Sequence, residues 1–204
     1  DAWRALQDHL LAEGFSREDM LAAGLEVARQ DGGSYDLFRG RLLFPIRNPQ
    51  GRVTGFGGRA LDDSLPKYLN TAQTPVFDKG AVLYGIDLAA AAIRSADQAV
   101  IVEGYFDVIM AHQKGFANVV ASMGTALTER QVAILKRLTR NLALALDADA
   151  AGDEATLRAI VTVGQALGKV TVPVPTSSGI RYQTTYHGEV RVVSAEFQDE
   201  TPDG

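Results

Sequence analysis

Apolar side chains at Trp3, Leu6, Leu10 and Leu11 fall at the spacing of one helix face, so the chain is predicted to open with a helix over residues 3–12. Ser16, followed by Arg17-Glu18-Asp19, reads as the N-cap of a second short helix through Ala22, with Gly24 and the Gly32-Gly33 pair as its stop. Trp3, Phe15 and Leu25 are expected to form local core. From Arg41 the pattern changes. Leu42-Leu43-Phe44-Pro45-Ile46, the turn Asn48-Pro49-Gln50-Gly51 and Arg52-Val53-Thr54-Gly55-Phe56 predict a β-hairpin. Pro45 has no N–H to give a second neighbour, which puts its strand at a sheet edge. Residues 59–80 show no period and are rich in Pro, Asn, Asp and Thr; they read as a long ordered loop.

After Tyr84 helices and strands alternate: helix 86–95, strand 99–102, helix 104–113, strand 117–121, helix 128–139, strand 141–146 and helix 151–166. The runs Ala99-Val100-Ile101-Val102 and Leu142-Ala143-Leu144-Ala145-Leu146 are apolar without interruption, as parallel strands covered on both faces are. Thr128 and Gln131 stand at capping-box spacing. Strand-like pieces recur at Val170–Val174 and Val190–Val193, around a polar segment with Ser177-Ser178-Gly179. The expected fold class is α/β, a parallel sheet with flanking helices over residues 81–204, preceded by a smaller α+β basic subdomain over 1–80.

Composition narrows the classes. With 204 residues, 46% hydrophobic and 22% charged, the chain is no disordered, collagenous or coiled-coil sequence. It contains no cysteine, which excludes disulfides and cysteine-ligated zinc or iron–sulfur sites and fits a cytosolic setting. The longest apolar runs fall far short of the roughly 20 residues that span a bilayer, and the start, Asp1-Ala2-Trp3-Arg4, carries no signal-peptide pattern. A first residue other than Met suggests a piece of something longer. The net charge of −5 argues against a polyanionic partner, but its distribution reverses the argument: residues 39–79 hold seven basic and three acidic side chains. A basic stretch beside an acidic remainder suits phosphates on one surface and metal ions on another, and suits an ordinary solvated face equally well.

The strongest chemical signal is acidic. Glu103 directly follows one predicted strand, and Asp147 and Asp149 directly follow another, so all three stand at C-terminal strand ends, where open parallel sheets bind ligands. Carboxylates gathered there are hard oxygen donors for a cation such as Mg²⁺. Asp107, one turn into the next helix, lies near the same edge as a direct ligand or a supporting group. The competing reading makes Asp147 and Asp149 caps of the helix beginning near Ala151; it leaves Glu103 unexplained, since Glu is a poor N-cap.

A second signal is Gly55-Phe56-Gly57-Gly58-Arg59 with Lys67-Tyr68-Leu69-Asn70 and Phe77-Asp78-Lys79-Gly80. Glycines that expose backbone N–H groups, the cations Arg59, Lys67 and Lys79 and the ring of Tyr68 are the ingredients of a phosphate or single-strand surface. The glycine run does not sit between a strand and a helix, so it is no dinucleotide fingerprint. Gly164–Lys169 lacks the spacing and the Ser or Thr of a P-loop. His9, His112 and His187 are isolated and read as surface residues.

Together with Phe44-Pro45-Ile46-Arg47, Leu83-Tyr84-Gly85, Val102-Glu103-Gly104-Tyr105-Phe106-Asp107, Ser122-Met123-Gly124-Thr125-Ala126 and Asp147-Ala148-Asp149-Ala150-Ala151-Gly152, these motifs resemble the catalytic core of bacterial DnaG-type primases from about Leu6 to Ile160. The acidic half alone resembles a Toprim domain, which topoisomerases and small nucleases share; the basic half points to primase. The resemblance implies synthesis of short RNA primers on single-stranded DNA from NTPs, by nucleotidyl transfer with Mg²⁺ or Mn²⁺, in the cytoplasm at the replication fork. It assigns Glu103, Asp147 and Asp149 to catalysis and metal binding, with Asp107 beside them. It assigns Arg59, Lys67, Tyr68, Asn70 and Lys79 to the template, the primer and the incoming nucleotide. The family's zinc domain and helicase-binding domain are not in this stretch, so no zinc and no direct contact with the replicative helicase are expected of it. A further acidic motif would begin where Pro202-Asp203-Gly204 stands. Two other readings remain: a Toprim nuclease or topoisomerase fragment, and a catalytically incomplete nucleic-acid-binding module.

Overall fold

The hairpin is present and longer than its apolar pattern: β3, Arg41–Arg47, pairs antiparallel with β4, Val53–Ala60. In the computed structural model, which describes residues 3–123, 127–146, 169–176, 179–186 and 189–194, the chain divides into two compact units, Asp1–Val82 and Leu83–Gly204.

In the first unit, α1 (Ala5–Ala12) and α2 (Arg17–Ala22) precede β1 (Glu26–Ala28) and β2 (Ser34–Asp36), a short antiparallel pair that the glycine-interrupted sequence did not announce. Ser16 caps α2 as expected, its Oγ accepting from the Asp19 N–H at 3.1 Å. The three-stranded sheet runs β3-β4-β5, so Pro45 does lie on an edge strand. The expected loop over 59–80 is corrected: Arg59 and Ala60 belong to β4, and Tyr68–Asn70 form β5, which pairs with β4. A 3-10 turn follows at Lys79–Ala81.

The expected local core of Trp3 and Phe15 is also corrected, for these side chains are 62% and 55% exposed. A polar network is buried instead. Ser34 Oγ accepts from Gln7 Nε2 (2.9 Å) and from Arg17 Nε and Nη2 (3.0 and 2.8 Å), and donates to Glu26 Oε2 at 2.6 Å. The Asp36 carboxylate takes the otherwise unbonded Leu6 and Gln7 N–H groups at the start of α1. Trp3 packs edge-on against Tyr35, and the Arg39 guanidinium lies 4.4 Å from its ring centroid.

The second unit holds a six-stranded sheet ordered β11-β10-β9-β8-β6-β7. Strands β6 (Ala99–Val102), β7 (Val119–Ala121), β8 (Leu142–Leu144) and β9 (Lys169–Thr176) are parallel; β10 (Gly179–Tyr186) and β11 (Glu189–Ser194) add an antiparallel meander. The polar segment after Ser178 is therefore a strand, formed from the alternating Ile180, Tyr182, Thr184 and Tyr186. Helices α3 (Ile86–Ala96), α4 (Tyr105–Gln113) and α5 (Glu129–Lys136) cover the sheet. The period of two splits β6 between two cores. Ala99 and Ile101 join Ile86, Ile93, Val132 and Leu135, while Val100 and Val102 join Val108, Val119 and Ala121. Burying a side chain such as Ile101 stabilises by about 1.5–3 kcal/mol. Thr128 and Gln131 form the capping box, each accepting a backbone N–H of the other at 3.1 Å, which gives the fully buried Gln131 amide oxygen its partner. No helix among the described residues is long and apolar enough to cross a membrane. The predicted helix 151–166 lies outside the described residues.

Candidate functional site

Strand β6 lies between β7 and β8, both parallel to it, and its next residue is Glu103. Register pairs Ile101 with Leu144, and the Ala145 N–H donates to the Ile101 carbonyl at 2.8 Å. The chain leaving β8 toward Asp147 therefore emerges at the same sheet edge as Glu103. Asp147 and Asp149 lie outside the described residues. Among the described residues there is no group of three or more His, Asp or Glu side chains that holds a metal; Glu103 and Asp107 are the described members of the predicted set. Their chemistry, carboxylate oxygen at the C-terminal edge, fits a hard divalent cation.

Asp107 has a structural role of its own. Its Oδ2 accepts the Gly104 N–H at 3.0 Å, and Gly104, without a side chain, returns no bond. An exposed carboxylate in the first turn of α4 also complements the positive end of the helix. On the inner side of the same helix Tyr105 is 4% exposed and packs edge-on against Tyr84 at 4.9 Å between centroids. Burial, and then Tyr84, push the Tyr105 phenol far above the usual tyrosine range; burial and the Asp87 charge raise Tyr84. His112, expected at the surface, is half-buried, with Nε2 2.9 Å from the Val119 carbonyl oxygen.

Of the predicted cations Arg59 lies on the small sheet, Lys67 just before β5, and Lys79 in the 3-10 turn. Arg59 stands opposite Tyr68 on one side and Leu42 on the other, and Gly57 stands opposite Asn70 and Phe44. Directly paired residues share a face, so Arg59, Tyr68 and Asn70 line one side of the sheet. Lys67 and Tyr68 are exposed, whereas Arg59, Asn70 and Lys79 are half-buried. Arg59 and Lys67 line a cavity of about 550 Å³ together with Leu61, Asp62, Asp63 and Ser64. Ser64 donates its hydroxyl and its N–H to Asp62 Oδ1 and holds that carboxyl below the usual range, so the cavity presents both signs of charge. Partial burial lowers the Lys79 ammonium.

The glycines do different work from that expected. In the central strand β4 they pair with β3 and β5, so the ladder takes their backbone groups, and it is their lack of a side chain that matters. A Cβ at Gly58 would stand 2.8 Å from the Phe38 ring and one at Gly55 would stand 2.9 Å from Phe77. Phe77, 1% exposed, anchors the segment that carries Lys79. Thr71, buried just after β5, helps: its Oγ1 accepts from the Phe56 N–H and donates to the Phe56 carbonyl. In the sequence that anchor is carried by the order Phe77-Asp78-Lys79-Gly80, in which the ring is core and the Lys is the candidate phosphate contact.

Comparison with known proteins agrees with this arrangement. Residues 1–90 match the family of the DNA primase catalytic core, N-terminal domain, and residues 97–172 match the Toprim domain. The DNA primase of Synechococcus elongatus is 51% identical over 162 residues, 78% of this chain and 23% of that protein. That of Deinococcus radiodurans is 48% identical over 159 residues, 77% of this chain and 28% of its own. Among solved structures, a DNA primase domain from Pseudomonas aeruginosa superposes with a TM-score of 0.78 at 41% identity, over 87% of this chain and 57% of that one. A DnaG primase catalytic domain bound to ssDNA gives 0.75 at 35% identity, over 87% and 57%. The chain thus spans about a quarter of the length of these curated relatives. With both halves matched in the same order and the parallel sheet in place, the chain belongs to the family of DnaG-type primase catalytic cores.

Proposed function

We propose that this chain is the core of an enzyme that builds short RNA primers on single-stranded DNA from ribonucleoside triphosphates. The observation that carries the reading is Glu103 at the C-terminal end of a strand flanked on both sides by parallel neighbours, the edge toward which Asp147 and Asp149 follow in sequence. In this reading Glu103, Asp147 and Asp149 hold Mg²⁺, with Mn²⁺ as a substitute and Asp107 nearby, shaping the start of α4. The bound ion would supply activation of the primer 3′-hydroxyl and stabilisation of the departing pyrophosphate. Arg59, Lys67 and Lys79 neutralise phosphates of template and nucleotide, Tyr68 offers a stacking face and Asn70 a polar contact beside it. A related DnaG primase catalytic domain bound to ssDNA supports a single-stranded DNA partner.

The test is incorporation of labelled ribonucleotides on single-stranded DNA, with Mg²⁺ and Mn²⁺ supplied separately. At most weak synthesis of short RNA products is expected of this stretch, and Glu103→Gln or Asp147→Ala should abolish it. Products that survive both substitutions would remove the acids from catalysis. No products from the unmodified chain would overturn the enzymatic reading for these residues and leave a metal- and nucleotide-binding module. Separately, Lys67→Ala with Lys79→Ala should weaken DNA binding and lessen its salt dependence while Mn²⁺ binding stays unchanged; unaltered DNA affinity would sink the surface assignment.

A further inference from the structure

Two described non-glycine residues have positive φ, Asp97 at +45° and Met123 at +64°. Asp97 explains itself. It closes α3, Asp is among the few side chains that tolerate left-handed backbone, and its carboxylate is held there by bonds from a distant segment, Thr139 Oγ1 at 2.8 Å and Asn141 Nδ2 at 2.9 Å. Met123 has no such side-chain bond to offer. It is 3% exposed, and a bulky side chain in this backbone region is an outlier that needs a reason.

The reason lies across the strand. The Met123 N–H donates to the Glu103 carbonyl at 3.1 Å, and the preceding Ser122 N–H donates to the Val102 carbonyl at 3.3 Å. In an extended ladder successive N–H groups point to opposite sides, so two consecutive amides on two consecutive carbonyls mark a turn shaped to receive the end of β6. The Glu103 carbonyl needs such a partner. It stands beyond the strand Ala99–Val102 and before Gly104, the N-cap of α4, so neither regular element is assigned to it.

We propose that Met123 is a positioning residue for Glu103: its left-handed backbone turn and its N–H fix the peptide from which the Glu103 side chain projects at the sheet edge. This inference rests on the reading of Glu103 as a metal ligand. Met123 itself touches neither metal nor substrate.

The experiment is Mn²⁺ binding to the 204-residue chain, followed by the electron paramagnetic resonance signal of free Mn²⁺, with folding checked by circular dichroism. Met123→Pro removes the N–H and forces φ negative. It should weaken Mn²⁺ by about tenfold, the scale on which groups that orient a metal ligand act. Met123→Gly, which keeps the N–H and adopts positive φ readily, should restore binding to within about twofold of the original chain. In a Glu103→Gln background the Pro substitution should add nothing, because its effect passes through Glu103. A folded Met123→Pro chain with unchanged affinity, or losses that simply add, would overturn the proposal. Should the Pro variant fail to fold, replacing the Met123 amide by an ester removes the donor alone and is judged by the same outcomes. If Glu103→Gln binds Mn²⁺ as the original chain does, the reading of Glu103 as a ligand falls instead. Hydrogen exchange at the Met123 amide then decides the bond independently: slow exchange supports it and rapid exchange refutes it.

Discussion

Each of the two units has an apolar core, but the first adds to it a buried polar network that the second lacks among its described residues. In the second, the residues that pair and pack are apolar: Ile101, Leu142 and Leu144 on one face of the sheet, Val108 and Val119 on the other. The first buries apolar Met20, Ile46 and Phe77 as well, but around α1, α2 and the β1-β2 pair it also buries the polar Gln7, Glu26, Ser34 and Asp36. A hydrophobic core tolerates many sequences of similar pattern, whereas a buried polar network holds only if every member finds its partner. The network here is nearly complete. Glu26 Oε1 is the buried oxygen in it with no hydrogen-bond partner among the described residues.

Substitutions can sharpen the contrast. Ile101→Ala, deep in the sheet, should cost about 2–5 kcal/mol, read as a large fall in the thermal or denaturant midpoint. Ser34→Ala removes a single oxygen, yet leaves Gln7, Arg17 and Glu26 all without their shared partner; a loss of about 1–3 kcal/mol is expected. A loss below a few tenths would show that water replaces the hydroxyl and that the network contributes little to this unit. Thr128→Ala deletes the cap of α5 and should cost about 1 kcal/mol by the same measurement.

The mildest probe is pH. The folded-state pKa of Tyr105 is raised above its ordinary value of 10.0, so the protonated phenol favours the fold. That contribution is fully present below pH 10 and is lost as pH rises through the folded value, since the unfolded chain then ionises first. Melting curves of Tyr105→Phe and the original chain should run parallel below pH 10, with the original falling faster above it. Parallel curves throughout the alkaline range would mean that the phenol is not desolvated.

The same contrast explains which parts of the chain were legible. Ala99–Val102 was readable to the residue because a strand buried on both faces must be apolar throughout. Capping signals at Ser16 and Thr128 were readable because the bonds are local. By contrast, β1 and β2 have three residues each and pair across a glycine turn, with Glu26 and Asp36 directed inward; a search for apolar alternation passes over them. Helix α5 ends at Lys136, three residues before the periodic pattern does, because Leu138 and Thr139 turn the chain toward Asn141 and the clasp on Asp97. Strand β5 stayed hidden because Tyr68–Asn70 is too short to show a period and is defined by its pairing with β4.

The candidate site divides along the same line. Glu103 stood out from the sequence by its place after an apolar strand, and Arg59, Lys67, Tyr68, Asn70 and Lys79 by charge and motif. What they share space with did not. That Arg59, Tyr68 and Asn70 occupy one face follows from strand register. That the glycines of β4 admit Phe38 and Phe77 is a matter of close approach between distant segments. Periodicity, capping and composition are properties of neighbours along the chain, so the sequence by itself determined the α/β alternation, the hairpin with its edge proline, the strand end after which Glu103 stands and the positive stretch. Burial of Gln7 and Glu26, the exposure of Trp3, and the left-handed turn at Met123 that meets Glu103 depend on segments brought together across the fold, and only the tertiary structure decided them.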